Sequence, residues 1–175
     1  MESTKTIQLK IMDVDFDLVE TLKKYAHGMN YASSVVFDNV RIIPARKLQP
    51  MVYVHLRGNI GLKSQVSCNI PRQVAGTYKT IVERTKIGMS YWQKVTYSPT
   101  SMTLSYKRDS KITEDSVSIT TFSLVGKPIK SITILMQRIF WSPWKFEASK
   151  IVKNKDGDYY FHLTVSQELP DKKIE

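Results

Sequence analysis

Acidic residues are almost missing from the middle of this 175-residue chain, where Glu83 and Asp109 are the two carboxylates between positions 44 and 111. Cysteine is nearly absent too. One residue, Cys68, excludes an internal disulfide framework and a cysteine-rich zinc site. His27, His55 and His162 lie far apart, with no pair at metal-ligand spacing. Glycine and proline are few, at seven each beside 42% apolar content, which argues for a folded protein rather than a disordered basic tail. No apolar run approaches the length of a membrane span, and the N-terminus has no hydrophobic core of a secretion signal. Asn-x-Ser/Thr sequons are absent. These absences predict no membrane partner and a reducing, nucleic-acid-containing compartment, the cytosol or nucleoid. The length suits one sizeable core or two small modules.

Catalytic motifs are also missing. Gly58-Asn59-Ile60-Gly61 has neither the length nor the lysine of a phosphate-binding loop. There is no zinc-protease helix motif and no Gly-x-Ser-x-Gly elbow. Asp13, Asp15 and Asp17 are spaced like calcium ligands but lack the loop's glycine and final glutamate, and read as acids at a helix start. Cys68 reads as a small residue inside a helix, and the predicted strands are almost free of carboxylates. No catalytic residue, metal or cofactor is assigned, and the expectation is a chain that is not itself an enzyme.

What is present is positive charge in one place. Residues 44–111 carry twelve Lys and Arg against two acids, while the rest of the chain holds fourteen of each sign, so the whole net charge of +10 falls on that stretch. A segregated cationic excess calls for a polyanion, most commonly nucleic acid.

Periodicity divides the chain. Thr6 to Ile11 alternates as a half-buried strand. Asp17 with Glu20 suggests a capping box, and Val19, Leu22, Tyr25 or Ala26, Met29, Ala32 and Val36 follow at helical spacing to about residue 38, with a weak point at Gly28. A second helix is predicted over 46–57, containing Pro50. A third is predicted from Ser64 as its cap, through Val66, Ile70, Val74, Tyr78 and Ile81 to about Arg84, with a kink at Pro71.

From Ser90 the period becomes two. Met102, Leu104 and Tyr106, then Val117, Ile119 and Thr121, then Ile132 and Ile134 alternate, and a hairpin turns at Asp156-Gly157 before Tyr159, Phe161, Leu163 and Val165. A lone first strand is costly and must return to the later sheet. The predicted fold is therefore α+β: an antiparallel β-barrel, wedge or OB-like, with a three-helix bundle inserted after the first strand. Residues 1–12 and 88–170 form the barrel, 13–87 the bundle and 171–175 a tail.

With Val66, Ile70 and Val74 buried, Lys63, Gln65, Cys68, Asn69 and Arg72 flank or oppose the apolar stripe of the third helix. Gln and Asn suit adenine edges, while cations and the helix dipole suit phosphate. The start of the second helix, from Arg46 to Gln49, repeats that mix. Tyr91, Trp92, Tyr97, Trp141 and Trp144 interleave with Lys94, Lys107 and Lys145, a pattern of single-strand stacking surfaces.

Three stretches resemble the N-terminal half of the TnpB family, transposon-encoded RNA-guided nucleases related to Cas12. Lys5 to Lys10 followed by the helix carrying Tyr25 to Asn30 is similar to the family's opening. Lys47-Leu48-Gln49, Val52-Tyr53, Gly61-Leu62, Ser64-Gln65, Ala75 and Tyr78-Lys79 resemble its helical segment. Val117 to Thr121, Gly126-Lys127 and Asp156 to Val165, closing at Pro170, resemble its last barrel strands. The resemblance implies a wedge barrel with a helical recognition insertion, which contacts a guide RNA and reads a short motif in double-stranded target DNA. It places Gln49, Ser64 and Gln65 at the DNA, and helix geometry adds Lys47, Lys63, Asn69 and Arg72. Lys94, Lys107, Arg108, Trp144 and Lys145 are the RNA-binding candidates. In the family the chain continues into an RNase H-like nuclease domain, whereas here it stops at Glu175. The expectation is thus a non-catalytic half, either completed by a separate RuvC-type nuclease subunit or an excised fragment of a longer effector, or else a stand-alone repressor or inhibitor derived from such an effector.

Overall fold

The first strand does return. In a computed structural model, which describes residues 2–113, 116–122, 129–134 and 144–168, β1 (Glu2–Lys10) pairs antiparallel with β8 (Tyr159–Glu168) along its whole length. The helices α1 (Phe16–Asp38), α2 (Ala45–Gly58) and α3 (Ser64–Lys86) follow. After them come β2 (Ser101–Leu104), β3 (Ser110–Ile112), β4 (Ser116–Thr120), β5 (Ile129–Thr133), β6 (Lys145–Phe146) and β7 (Ser149–Lys153). The protein is α+β with antiparallel sheets.

Two compact units result. The strand unit comprises residues 1–15, 100–120 and 127–175, and the helical unit residues 16–99 with 121–126. In the strand unit one sheet has the order β1-β8-β7-β2, with β6 on β8 beside β7, and a second has the order β3-β4-β5. Alternation fixes the inner face: Phe161, Leu163 and Val165 on β8, Val117 and Ile119 on β4, and Met102 and Leu104 on β2 are buried. Gly157 takes a left-handed φ of 93° in the β7–β8 hairpin, where the Asn154 and Asp158 main chains close the turn.

Among the described residues the predicted barrel is not closed by continuous ladders. The sheets adjoin at two single bridges, Ile11 with Ile134 and Tyr106 with Ser110. The interruption after Leu104 has a local cause: the chain turns back on itself over Ser105 to Ser110, leaving no length for a ladder between β2 and β3.

In the helical unit the buried stripe of α1 is Leu18, Leu22, Tyr25, Ala26, Met29, Ala32 and Val36. Val19, expected in that stripe, is half-exposed, and Leu18 takes its place. Asp17 lies inside the first turn rather than at a cap, and its carbonyl accepts from Thr21 Oγ1 at 2.6 Å. Gly28 is a point of close approach rather than a weak point. A Cβ there would lie 2.8–2.9 Å from Ile70, Leu56 and Leu62. Both α2 and α3 run on past their internal prolines, Pro50 and Pro71.

Residues 88–99 were expected with the strands but fall in the helical unit as an extended strap. Polar side chains on the helices hold it. Ser33 Oγ donates to Val95 O at 2.6 Å, Val95 N donates to Tyr78 Oη at 3.3 Å, and Asn30 brackets Tyr97. Trp92 packs against Phe37 and Tyr78 with ring centroids 6.4 and 5.1 Å away.

Candidate nucleic-acid interface

The helical unit holds twelve Lys and Arg against four acids, Asp17, Glu20, Asp38 and Glu83, and so carries +8 of the chain's +10. Two of its lysines pair with acids on their own helix, Lys23 with Glu20 at 3.5 Å and Lys79 with Glu83 at 3.9 Å. Exposed pairs of this kind offset little charge and contribute little stability. Helix α2 has no acidic residue at all.

Where α2 meets α3, a groove of about 590 Å³ opens, lined by Arg46, Gln49, Pro50, Tyr53 and Val54 of α2 and Cys68 of α3. Its α2 residues recur at three- and four-residue spacing and so share one side of the helix. Gln49 Nε2 donates to Cys68 Sγ at 3.4 Å, which ties the two helices across the groove floor. Arg72, exposed, follows Cys68 by one turn of α3. The groove thus combines guanidinium, amide and aromatic groups, a set able to contact phosphates and base edges together.

The sequence-derived DNA candidates do not form one surface. Gln49 lines the groove, but Lys47 does not. Ser64 is exposed and is the first helical residue. Lys63 is the N-cap, and no side-chain bond caps the helix. Gln65 is half-buried and its Nε2 donates to Asn69 Oδ1 at 3.1 Å. Asn69 is a correction. It is 5% exposed, on the packed side of α3, and offers no edge to a base. Arg46, Tyr53 and Cys68 were not singled out as a group. The 46–49–50–53 spacing on α2 was the available signal, but the α3 partner was not legible.

The RNA candidates are divided between the units. Lys94 is exposed on the strap of the helical unit. Lys107 and Arg108 are exposed in the turn between β2 and β3, with Lys107 Nζ 5.6 Å from the Tyr106 ring centre. Tyr106 in turn packs on Phe146 of β6, with centroids 5.0 Å apart, so β6, which starts at Lys145 just after Trp144, borders the same turn. Trp144 is half-buried with Lys5 Nζ 5.1 Å from its ring centre. Lys145 is exposed, and Glu168 Oε1 lies 2.8 Å from its Nζ. That hydrogen bond, and then the opposite charge, holds the Lys145 ammonium above the usual lysine range and the Glu168 carboxyl below the usual glutamate range.

Two of the interleaved aromatics are corrected. Trp92 and Tyr97 turn into the helical unit, because the strap's polar anchors face the helices and draw those rings inward. Tyr91 remains outside at 69% exposed, and Trp141 lies outside the described residues. Among the described residues no group of three His, Cys, Asp or Glu could hold a metal ion, and no helix is long and apolar enough to cross a membrane.

Compared with known proteins, the chain matches no family model and no curated sequence.

Proposed function

We propose that this chain binds nucleic acid without cleaving it, as the guide-RNA- and target-DNA-gripping half of a TnpB- or Cas12-like system working in the nucleoid-bearing cytoplasm. The helical unit, with +8 of the net charge and the Arg46–Gln49–Tyr53 groove, is the observation that carries this reading. In it the helices grip duplex DNA and read a short motif beside the target. The strand unit holds RNA through Lys107, Arg108 and the segment of Trp144 and Lys145. The bridges Ile11–Ile134 and Tyr106–Ser110 support a wedge-barrel reading of the two sheets.

Binding to duplex DNA and to RNA, measured against salt, tests it. Affinity should fall with salt, with a log–log slope of roughly 0.9 per duplex phosphate contacted. Lys63→Glu with Arg72→Glu should abolish DNA binding while the circular dichroism spectrum stays unchanged. No affinity for either polymer in dilute buffer would defeat the nucleic-acid reading. Unchanged DNA affinity in the double variant would defeat the role given to α3.

A further inference from the structure

We propose that the turn between β2 and β3 is a discrete phosphate-binding site, formed by Lys107, Arg108 and Lys111 with the hydroxyls of Ser118 and Thr120. For its polymeric ligand it depends on the nucleic-acid reading above. These five residues, together with Asp109, Ser110 and Ile119, line a cavity of about 270 Å³. The pleat accounts for their convergence. Lys111 stands opposite Ser118 in the β3–β4 ladder, so Lys111, Ser118 and Thr120 share the outer face, while Ile112, Val117 and Ile119 point into the core.

The turn adds the other two cations, and it is held from within. Asp109, 3% exposed, takes the Ser105 N–H on its carboxylate, and its own N–H donates to Ser105 O at 3.1 Å. Its carbonyl accepts from Thr120 N at 2.9 Å, which ties the turn to β4. The buried carboxylate is thus engaged by the turn's main chain. Lys107, Arg108 and Lys111 are all exposed, and none pairs with a carboxylate among the described residues.

Backbone conformation is the second, independent observation. Lys107 sits at φ 65°, in the left-handed region that glycine or asparagine adopts more readily. A strained lysine held in place by surrounding bonds points to a need for its side chain. Three like charges within five residues also repel one another, and a bound phosphate oxygen relieves that repulsion. Either an RNA phosphodiester or a free phosphate satisfies this chemistry.

Lys107→Gly tests the site cleanly, because glycine accepts the same φ without strain while the charge is lost. Combined with Arg108→Gln and Lys111→Gln, it should weaken binding of a single-stranded RNA 20-mer about tenfold at moderate salt and flatten the salt slope by about two phosphate contacts. Amide shifts of Lys111, Ser118 and Thr120 on addition of inorganic phosphate or of the RNA distinguish the two sources. Movement with either supports the site, and movement with neither overturns it. Wild-type RNA binding that the triple variant leaves unchanged in affinity and slope also overturns the site, with the nucleic-acid reading intact. Wild-type protein that binds no RNA or DNA at low salt defeats that reading instead.

Discussion

Asn30 holds both main-chain groups of Tyr97. Its Nδ2 donates to Tyr97 O at 2.9 Å and its Oδ1 accepts from Tyr97 N at 2.7 Å, so one side-chain amide does for the strap what a neighbouring strand would do. Replacing it leaves two part-buried main-chain groups without that partner, at a cost of about 1–3 kcal/mol. Asn30→Ala should lower the denaturation midpoint accordingly and speed amide exchange at Tyr97. Asn30→Asp keeps the acceptor but sets a carboxylate against Tyr97 O, and should cost a comparable amount. Unaltered exchange at Tyr97 in Asn30→Ala would show that the strap is held by its rings alone.

Gly28 sits where α1 meets Leu56 of α2, Leu62 and Ile70 of α3. Alanine there gains about 1 kcal/mol of helix propensity but presses on three side chains at once, so the net change should be small. The atoms it would meet are the ends of flexible side chains, which can give a little. Leucine has no such latitude, and overpacking should cost towards the upper end of about 1–3 kcal/mol. Urea unfolding of Gly28→Ala and Gly28→Leu separates the two. Equal midpoints for both would show that the helices part easily at this point.

Much of this architecture was legible in sequence because periodicity reports burial. The stripe on α1, the alternation on β8 and the return of β1 all follow from which positions must be dry. The side chains that organise the strap were not legible. Asn30, Ser33 and Tyr78 read as ordinary polar and aromatic positions on helices, and their main-chain partners lie about sixty residues away for Asn30 and Ser33. Without those partners, Trp92 and Tyr97 look like free stacking surfaces. The site was partly legible for the same reason. Net charge is visible at once, but Asn69 and Arg72 differ in burial because one helical turn is seen from two sides by its neighbours.

Tyr97 should weaken the helical unit at alkaline pH. Burial pushes its phenol above the ordinary value near 10. The folded state therefore keeps its proton to higher pH than the unfolded chain does. The associated stability is fully present below the ordinary tyrosine pKa and is lost as pH rises through the raised one. Thermal midpoints should hold level towards pH 9 and fall beyond about pH 10. Tyr97→Phe should flatten that fall. A decline of equal steepness in the variant would assign the alkaline loss to other groups.

The ion pair of Lys145 with Glu168 bears on RNA binding more than on stability. Both partners are largely exposed, at 64% and 79% of their side-chain surface, so solvent screens the attraction. Glu168's lowered pKa makes its contribution present above the ordinary glutamate range and lost as pH falls below it. Lys145's raised pKa makes its contribution present below the ordinary lysine value of 10.5 and lost as pH climbs past the raised one. Between about pH 5 and pH 10 the pair stays formed. Glu168→Gln should leave the thermal midpoint unchanged across that window. Its effect on RNA should differ, because the freed ammonium becomes available to a phosphate. Affinity should rise a few-fold at low salt, and the rise should vanish when Lys145→Gln is added. Asp156→Asn, in the hairpin turn at the opposite end of β8, adds the same unit of charge away from Lys145. An equal gain from Asp156→Asn would show that overall charge alone responds, and would remove Lys145 from the RNA-contacting set.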